Sequence, residues 1–292
     1  MMFLALLAGC KNDNGLSGIR IDALAVVLGD FDDMTTPLTD MEIATQPYDG
    51  FIVQATYEPE ESRTKRDDLA TTVETLFGIT DDSDLGKYDA VFVNSGTRGL
   101  GAFQYNNTLE PDDALLLDTA SMDHVCEYGE NNTLVVSDWA YDLIEYCWPD
   151  AIEFFGDDAT PDAAQTGAPD EVLADVKDKD LKESLGDAVS VTYNYSAWSV
   201  IEGVGADTEV LLSGDIEYQP SSEELYDTME DAPLMVRFAP GRGQVVYSTF
   251  HLAAQTPQVT KGLLMGAVEG LDAAVGSDDG SEDPAPTEGA GE

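Results

Sequence analysis

Asn132-Thr133-Leu134-Val135-Val136-Ser137-Asp138-Trp139-Ala140-Tyr141-Asp142-Leu143-Ile144-Glu145-Tyr146-Cys147 is the stretch whose reading decides the architecture of this chain. A short apolar, β-branched run ends in a polar step and changes at once to helical spacing, Leu143 and Ile144 followed by Cys147. That pattern reads as strand, sharp turn, helix. It is the shape of a nucleophile elbow, in which Ser or Cys sits between glycines. Here Ser137, Asp138 and Trp139 stand at the turn with no flanking Gly. The scaffold looks like an enzyme's, and the attacking atom is missing.

Upstream, Ile21 to Leu28 is apolar almost throughout, as a strand covered on both faces of a parallel sheet would be. It ends in Gly29-Asp30-Phe31-Asp32-Asp33, an acidic loop at the strand's carboxyl end. Phe51 to Tyr57 and Tyr88 to Asn94 read as further strands, Leu69 to Phe77 as a short helix, and Pro111 to Tyr128 as a longer one closed by Gly129. Ser95-Gly96-Thr97-Arg98-Gly99-Leu100-Gly101 has its glycines in the order G-x-x-G-x-G, not that of a phosphate loop. It is expected to be a turn whose amides line a cleft.

Downstream, Asp157 to Asp170 reads as a surface excursion. Val172 to Val176, Ala188 to Asn194 and Glu209 to Gly214 are expected strands, with Lys179 to Leu185 a short helix. Pro233 to Phe238 and Gln244 to Phe250 form a β-hairpin by their alternation and turn residues, and His251 lies directly beyond it. Thr256-Pro257 starts a last helix expected to run to about Ala274. Together these predict one α/β domain: a doubly wound, mostly parallel sheet flanked by helices, flavodoxin-like, with a late hairpin.

Acidic side chains outnumber basic ones 58 to 13, for a net charge of -45, and the six acids after Ser277 account for little of it. Such a surface repels phosphate backbones, which excludes a nucleic-acid partner. The charge keeps the chain soluble and fits halophilic adaptation, because counterions screen the self-repulsion of a compact acidic body. The cofactor expectation is none, with a divalent cation such as calcium, held by Asp30, Asp32 and Asp138, as the alternative. Zinc has little support: His124 and His251 are the only histidines.

The N-terminal Met1 to Cys10 is too short to span a bilayer and reads as a processing segment. Its Leu7-Ala8-Gly9-Cys10 resembles the bacterial lipobox, which implies a mature chain starting at a lipidated Cys10, on the bacterial cell envelope. Residues 1–9 are then a signal peptide, 11–18 a tether, 19–275 the folded domain and 276–292 a disordered acidic tail. Cys126 and Cys147 remain, in helices before and after the central strand. They either pair or lie buried as two thiols. Asn106, Asn131 and Asn194 fit the N-x-[ST] pattern and are read as surface polar residues.

Alternating strands and helices, an elbow, and the segment Ala232-Pro233-Leu234-Met235-Val236-Arg237-Phe238-Ala239-Pro240-Gly241-Arg242-Gly243-Gln244-Val245-Val246-Tyr247-Ser248-Thr249-Phe250-His251 together resemble the class I glutamine amidotransferase-like superfamily, and within it the ThuA-like branch. The resemblance covers Ile21 to Leu271. It implies an elbow Cys where this chain has Asp138, a His matched by His251, and a Glu where Ala253 stands. A carboxylate cannot replace the thiolate and Ala253 cannot orient an imidazole, so amidotransferase chemistry is not expected.

The expected crevice at the strand ends is lined by Asp30, Asp32, Gly96, Asp138, Trp139 and His251. Two functions are carried forward. One is a membrane-anchored lipoprotein whose non-catalytic domain binds or scaffolds, Asp138 capping a helix, Trp139 packing in the core and His251 filling a vestigial site. The other is a hydrolase-type enzyme using Asp138 and His251 as an acid-base pair, metal-assisted or not, on a carbohydrate-like substrate; that substrate class comes from the resemblance alone.

Overall fold

The computed structural model describes residues 20–28, 32–49, 73–78, 83–93, 119–155, 166–168, 170–195, 198–219 and 225–274. In chain order these form β1 (Leu24–Leu28), α1 (Thr35–Asp40), β2 (Gln46–Asp49), α2 (Val73–Phe77), β3 (Ala90–Val93), α3 (Thr119–Asn131), β4 (Thr133–Ser137) and α4 (Asp142–Cys147). They continue with β5 (Ile152–Phe154), β6 (Thr166–Gly167), β7 (Glu171–Val176), α5 (Lys179–Leu185), β8 (Ala188–Thr192), β9 (Ile201–Val204), β10 (Glu209–Gln219), β11 (Asp227–Phe238), β12 (Gln244–Ser248) and α6 (Pro257–Ala267). The large sheet runs β2-β1-β3-β4-β12-β11-β10-β7-β8, with β6 against β10; β5 and β9 form a separate ribbon. The expected strand Phe51 to Tyr57, the 95–101 turn, Cys10 and its lipobox, the tether and the acidic tail lie outside the described residues.

The architecture is α/β, and the expected parallel pairing holds over β2-β1-β3-β4-β12. Composition explains why. Strands β3 and β4 are buried at every position, and a strand covered on both faces has no place for alternate polar residues. Val26 of β1 enters one apolar core, with Leu263 and Leu264 of α6, while its neighbours Ala25 and Val27 enter a second core with Leu76 of α2, Val125 of α3 and Leu143 of α4. Both faces of this half are therefore covered by helices.

The other half, β12-β11-β10-β7-β8, is antiparallel throughout. Strand β7 alternates exposed and buried positions along its whole length. Its inner residues Val172, Ala174 and Val176 pack with Leu181 of α5 and the α6 leucines, while Leu173 on the outer face is 72% exposed. One face is dry and one wet, as period-two alternation dictates.

The turn from β11 to β12 is anchored on the end of α3. The amides of Arg242 and Gly243 donate to Glu130 O at 2.7 and 2.9 Å, and Gln244 N donates to Asn132 O at 3.1 Å. A helix end leaves carbonyls without partners, and this turn supplies donors to them. Glycine is required by the closeness: a Cβ on Gly243 would meet Asn132 O at 2.3 Å and one on Gly241 would meet Glu130 O at 2.4 Å. A Cys126–Cys147 disulfide with Cα atoms 5.2 Å apart joins α3 to α4 across a separation of 21 residues. Closing a loop of that size in the unfolded chain is worth about 3 kcal/mol.

Several boundaries differ from expectation. The last helix ends at Ala267, not near Ala274: Gly270 has φ 83 and the chain closes in a single 3-10 turn, Leu271–Ala273. Strands β10 and β11 reach 11 and 12 residues, longer than their apolar runs, because their far ends carry exposed acidic residues.

Candidate functional site at the elbow

Strand β4 ends at Ser137, and Asp138 follows with φ 45. Left-handed backbone costs about 1–3 kcal/mol in a residue other than glycine, and Asp is among the side chains that tolerate it best. The turn continues as a 3-10 segment, Asp138–Tyr141, before α4 begins. The polar step in the sequence is thus a tight strand-to-helix turn with Asp138 at its strained position.

His251 arrives from the neighbouring strand. Strand β12 lies parallel to β4 with Ser248 opposite Ser137, so the residues just past each strand meet at the same sheet edge. His251 Nε2 lies 3.0 Å from Asp138 Oδ2. The contact is a buried ion pair at hydrogen-bond distance. Asp138 Oδ1 accepts from Ser199 N at 3.0 Å, and the Asp138 carbonyl accepts from Tyr247 Oη at 2.9 Å and Ser199 Oγ at 3.2 Å. Ser199 Oγ and Tyr247 Oη also touch each other. On its other side His251 Nδ1 lies 2.9 Å from Asn194 Oδ1.

Asp32 completes the group. Its Oδ2 accepts from Ser137 Oγ at 3.0 Å and its Oδ1 from Ala253 N at 2.9 Å. Asp32 thereby ties the segment after β1 to the backbone just past His251.

Burial pushes the Asp138 carboxyl above its ordinary value, against the pull of His251 and the Ser199 amide. Burial would lower His251, but Asp138, with Asp32 behind it, outweighs burial and holds the ring above its ordinary value. One shift favours a neutral acid and the other a charged base; the two describe a single proton shared by a buried pair. Geometry places it on His251. With the Asn194 amide oriented so that Oδ1 meets the ring, both imidazole nitrogens face oxygen acceptors, and only the imidazolium donates from both. The second carboxylate, Asp32, is met by neutral donors.

Among the residues expected at the crevice, the structure brings together Asp32, Asp138 and His251. Trp139 does not join them: it packs in the second apolar core, its ring 5.9 Å from that of Tyr141. Asp30 and Gly96 lie outside the described residues. Among the described residues, no group of three or more His, Cys, Asp or Glu is arranged to hold a metal ion. Sequence reading missed Ser199, Tyr247 and Asn194 as partners. Asn194 is exposed as expected, yet its amide oxygen serves His251.

A second buried charge was not anticipated. Arg237 on β11 is 4% exposed. Its guanidinium contacts Glu209 at 2.8 Å, Asp178 at 3.5 Å and Glu269 at 3.7 Å, and donates to Ala267 O at 3.3 Å. It borders a cavity of about 500 Å³ lined also by Asp207, Thr208 and Phe238. Asp178 at the same time caps α5 by accepting from Leu181 N at 2.8 Å.

No family model matches the chain, and no curated protein matches it. Solved structures are similar at low identity. A GMP synthase subunit from Thermoplasma acidophilum is 9% identical, over 84% of this chain and 93% of that one, with a TM-score of 0.46. A ThuA-like protein from Bacteroides uniformis is 10% identical, over 85% and 91%, with a TM-score of 0.42. A β-galactosidase from Bacillus circulans is 12% identical over 86% of this chain but 31% of its own length, with a TM-score of 0.41. Amidotransferase-like and ThuA-like proteins thus stand among the structures this chain is similar to. At these identities and scores the similarity carries no argument about activity.

Proposed function

We propose that this chain is a bacterial envelope lipoprotein, anchored to a membrane through a diacylated Cys10, whose doubly wound amidotransferase-like domain of ThuA-like type binds or scaffolds and does not catalyse. Supporting the first half are the Leu7-Ala8-Gly9-Cys10 lipobox and a disulfide between Cys126 and Cys147, which suits an oxidising compartment. The observation that carries the second half is the engagement of Asp138. One carboxylate oxygen is taken by Ser199 N and the other faces His251, its carbonyl takes two hydroxyls, and the residue is 2% exposed. A nucleophile or general base must reach a substrate atom. This one is occupied in holding β4, β12 and the 198–200 segment together.

The hydrolase reading keeps one observation in its favour, the 3.0 Å approach of a histidine to the elbow acid. Two measurements separate the readings. The mature domain, incubated with chromogenic glycosides, esters and amides, is expected to turn over none of them faster than its His251→Ala variant; turnover that depends on His251 overturns the binding reading. For the anchor, Cys10→Ser expressed in a bacterial host is expected to move the protein from the membrane fraction to the soluble one. Unchanged partitioning would remove the lipoprotein assignment.

A further inference from the structure

The two terminal strands of the large sheet are finished differently. β2 carries Pro47 and Asp49, residues of the kind that blunts an edge. β8, Ala188-Val189-Ser190-Val191-Thr192, has neither proline nor charge. Its ladder with β7 runs through alternate residues: Tyr193 N donates to Asp170 O at 2.8 Å and Val176 N to Asp187 O at 2.9 Å, in a register that sets Val191 opposite Val172 and Val189 opposite Ala174. The backbone groups of the residues between, Ala188, Ser190 and Thr192, therefore point away from β7. Those of Thr192 are met by one side chain: Gln255 Oε1 accepts from Thr192 N and Gln255 Nε2 donates to Thr192 O, both at 2.9 Å, as a residue of a neighbouring strand would. Among the described residues no group meets those of Ala188 and Ser190, and both residues are exposed.

Along this edge the two faces ask for different side chains. On the inner face Val189 and Val191 are buried in the first core, so a strand laid beside them would place apolar residues there. On the outer face Ser190 lies opposite Leu173, which has exposed Glu171 and Asp175 on either side along β7. Beyond them, exposed Asp215 and Glu217 of β10 alternate with the core residues Ile216 and Tyr218. Lys177, at the end of β7, is already engaged by Asp175 and Asp231 at 3.5 and 3.0 Å. A second copy of the chain would bring the same acids and a further charge of -45. We infer, on the binding reading above, that the open edge of β8 takes an extended cationic polypeptide as an added strand. Its basic side chains lie over the acidic outer face, its apolar ones continue the inner core, and Gln255 ends the pairing.

The probe is a fluorescein-labelled hexapeptide of alternating lysine and valine, read by fluorescence anisotropy at about 0.15 M salt. It is expected to bind the full chain, and a peptide of alternating glutamate and valine is not. Ser190→Pro removes one outward amide and leaves the ladder to β7 intact. It is expected to weaken binding of the lysine peptide about ten-fold, as is N-methylation of every backbone amide of the probe at unchanged charge. Wild-type protein that does not bind the lysine peptide overturns the inference. So does a folded Ser190→Pro protein that binds it as wild type does, because the attraction is then to the acidic surface at large. A concentration-dependent dimer in sedimentation velocity that Ser190→Pro abolishes also overturns it, by assigning the edge to a second copy. If Ser190→Pro does not fold, the N-methylated probe against wild type decides. His251 plays no part in this assay, so turnover at the elbow would remove the binding reading without changing what the strand edge takes up.

Discussion

At the carboxyl ends of β4 and β12, Asp32, Asp138 and His251 lie 1%, 2% and 4% exposed, and the positive partner is an imidazole that can lose its charge. On β11, Arg237 is equally buried, but its partners Glu209 and Glu269 reach solvent, with side chains 40% and 20% exposed, and its charge is permanent. The first cluster joins two parallel strands to the segment that crosses their ends. The second joins the sheet to the cap of α5 and the last carbonyl of α6. A fixed charge is used where elements are clamped and a partly open shell can solvate its acids, and a titratable one where the site is closed and the net charge must be kept small.

Removing Arg237 should break this comparison most severely. Arg237→Met leaves Asp178, Glu209 and Glu269 facing one another without a cation, and loss of one partner of a buried ion pair costs about 3–5 kcal/mol. Urea denaturation monitored by tryptophan fluorescence should show that loss; a change within about 0.5 kcal/mol, the range of an ordinary surface substitution, would mean that the exposed acids relax into water at no cost.

His251→Ala should cost about 3 kcal/mol, at the lower end of the same range, because Asp138 can take up a proton once its partner is gone, as its upward shift implies. Asp138→Asn keeps the Oδ1 acceptor for Ser199 and should cost only about 1 kcal/mol. If the two variants are equally destabilised, the pair is not an ion pair and the elbow cluster is held by its backbone bonds alone.

This contrast also separates what was legible in the sequence from what was not. The parallel half could be read because its strands are unbroken apolar runs such as Ala90 to Val93, and the turn at Asp138 because a β-branched run gave way abruptly to helical spacing. The meeting of Asp138 and His251 followed from placing both just past strand ends. Asp32, the third member, was named for the same reason. Arg237 was not legible, since an arginine in a strand of alternating pattern looks like an outward residue; its burial depends on Asp178, 59 positions away. Ser199 and Tyr247 were missed because their hydroxyls act on backbone atoms, which no residue pattern encodes. Trp139 was open between cleft and core, because an aromatic beside a candidate site reads equally as either, and it lies in the core. The strand Gln46–Asp49 was overlooked since Pro47 and flanking polar residues hide an edge position, where proline is tolerated.

Titration sharpens the comparison. A group whose folded-state pKa lies above its unfolded value holds its proton more tightly when folded, so its stabilising contribution is whole below the unfolded value and is lost as pH rises through the folded one. For His251, which carries the shared proton, the loss begins above about pH 6.5. The stability difference between wild type and His251→Ala should therefore shrink as pH rises above 6.5, no faster than the one-proton slope of about 1.4 kcal/mol per pH unit. The difference between wild type and Arg237→Met should stay flat over that range. A flat His251 difference would place the shared proton on Asp138.

The smallest effect tests the open side of the arginine cluster. Glu209 is 40% exposed and makes the shortest contact to Arg237, 2.8 Å, yet water and ions reach it. Glu209→Gln should cost about 0–1 kcal/mol, and that cost should fall between 0.1 and 1 M salt as the screening length shrinks from about 10 to 3 Å. The His251→Ala cost should not change with salt, since no counterion reaches a residue so enclosed. Molar salt should at the same time stabilise wild type and both variants together, because the chain's charge of -45 repels itself wherever it is unscreened. Salt therefore acts on three levels that one series of melts can resolve: a general gain from the acidic surface, a specific loss at Glu209, and no response at the elbow. Were the His251→Ala cost to fall with salt as the Glu209→Gln cost does, the elbow would be in contact with solvent in its resting state, and the distinction between a closed titratable cluster and an open permanent one would fail.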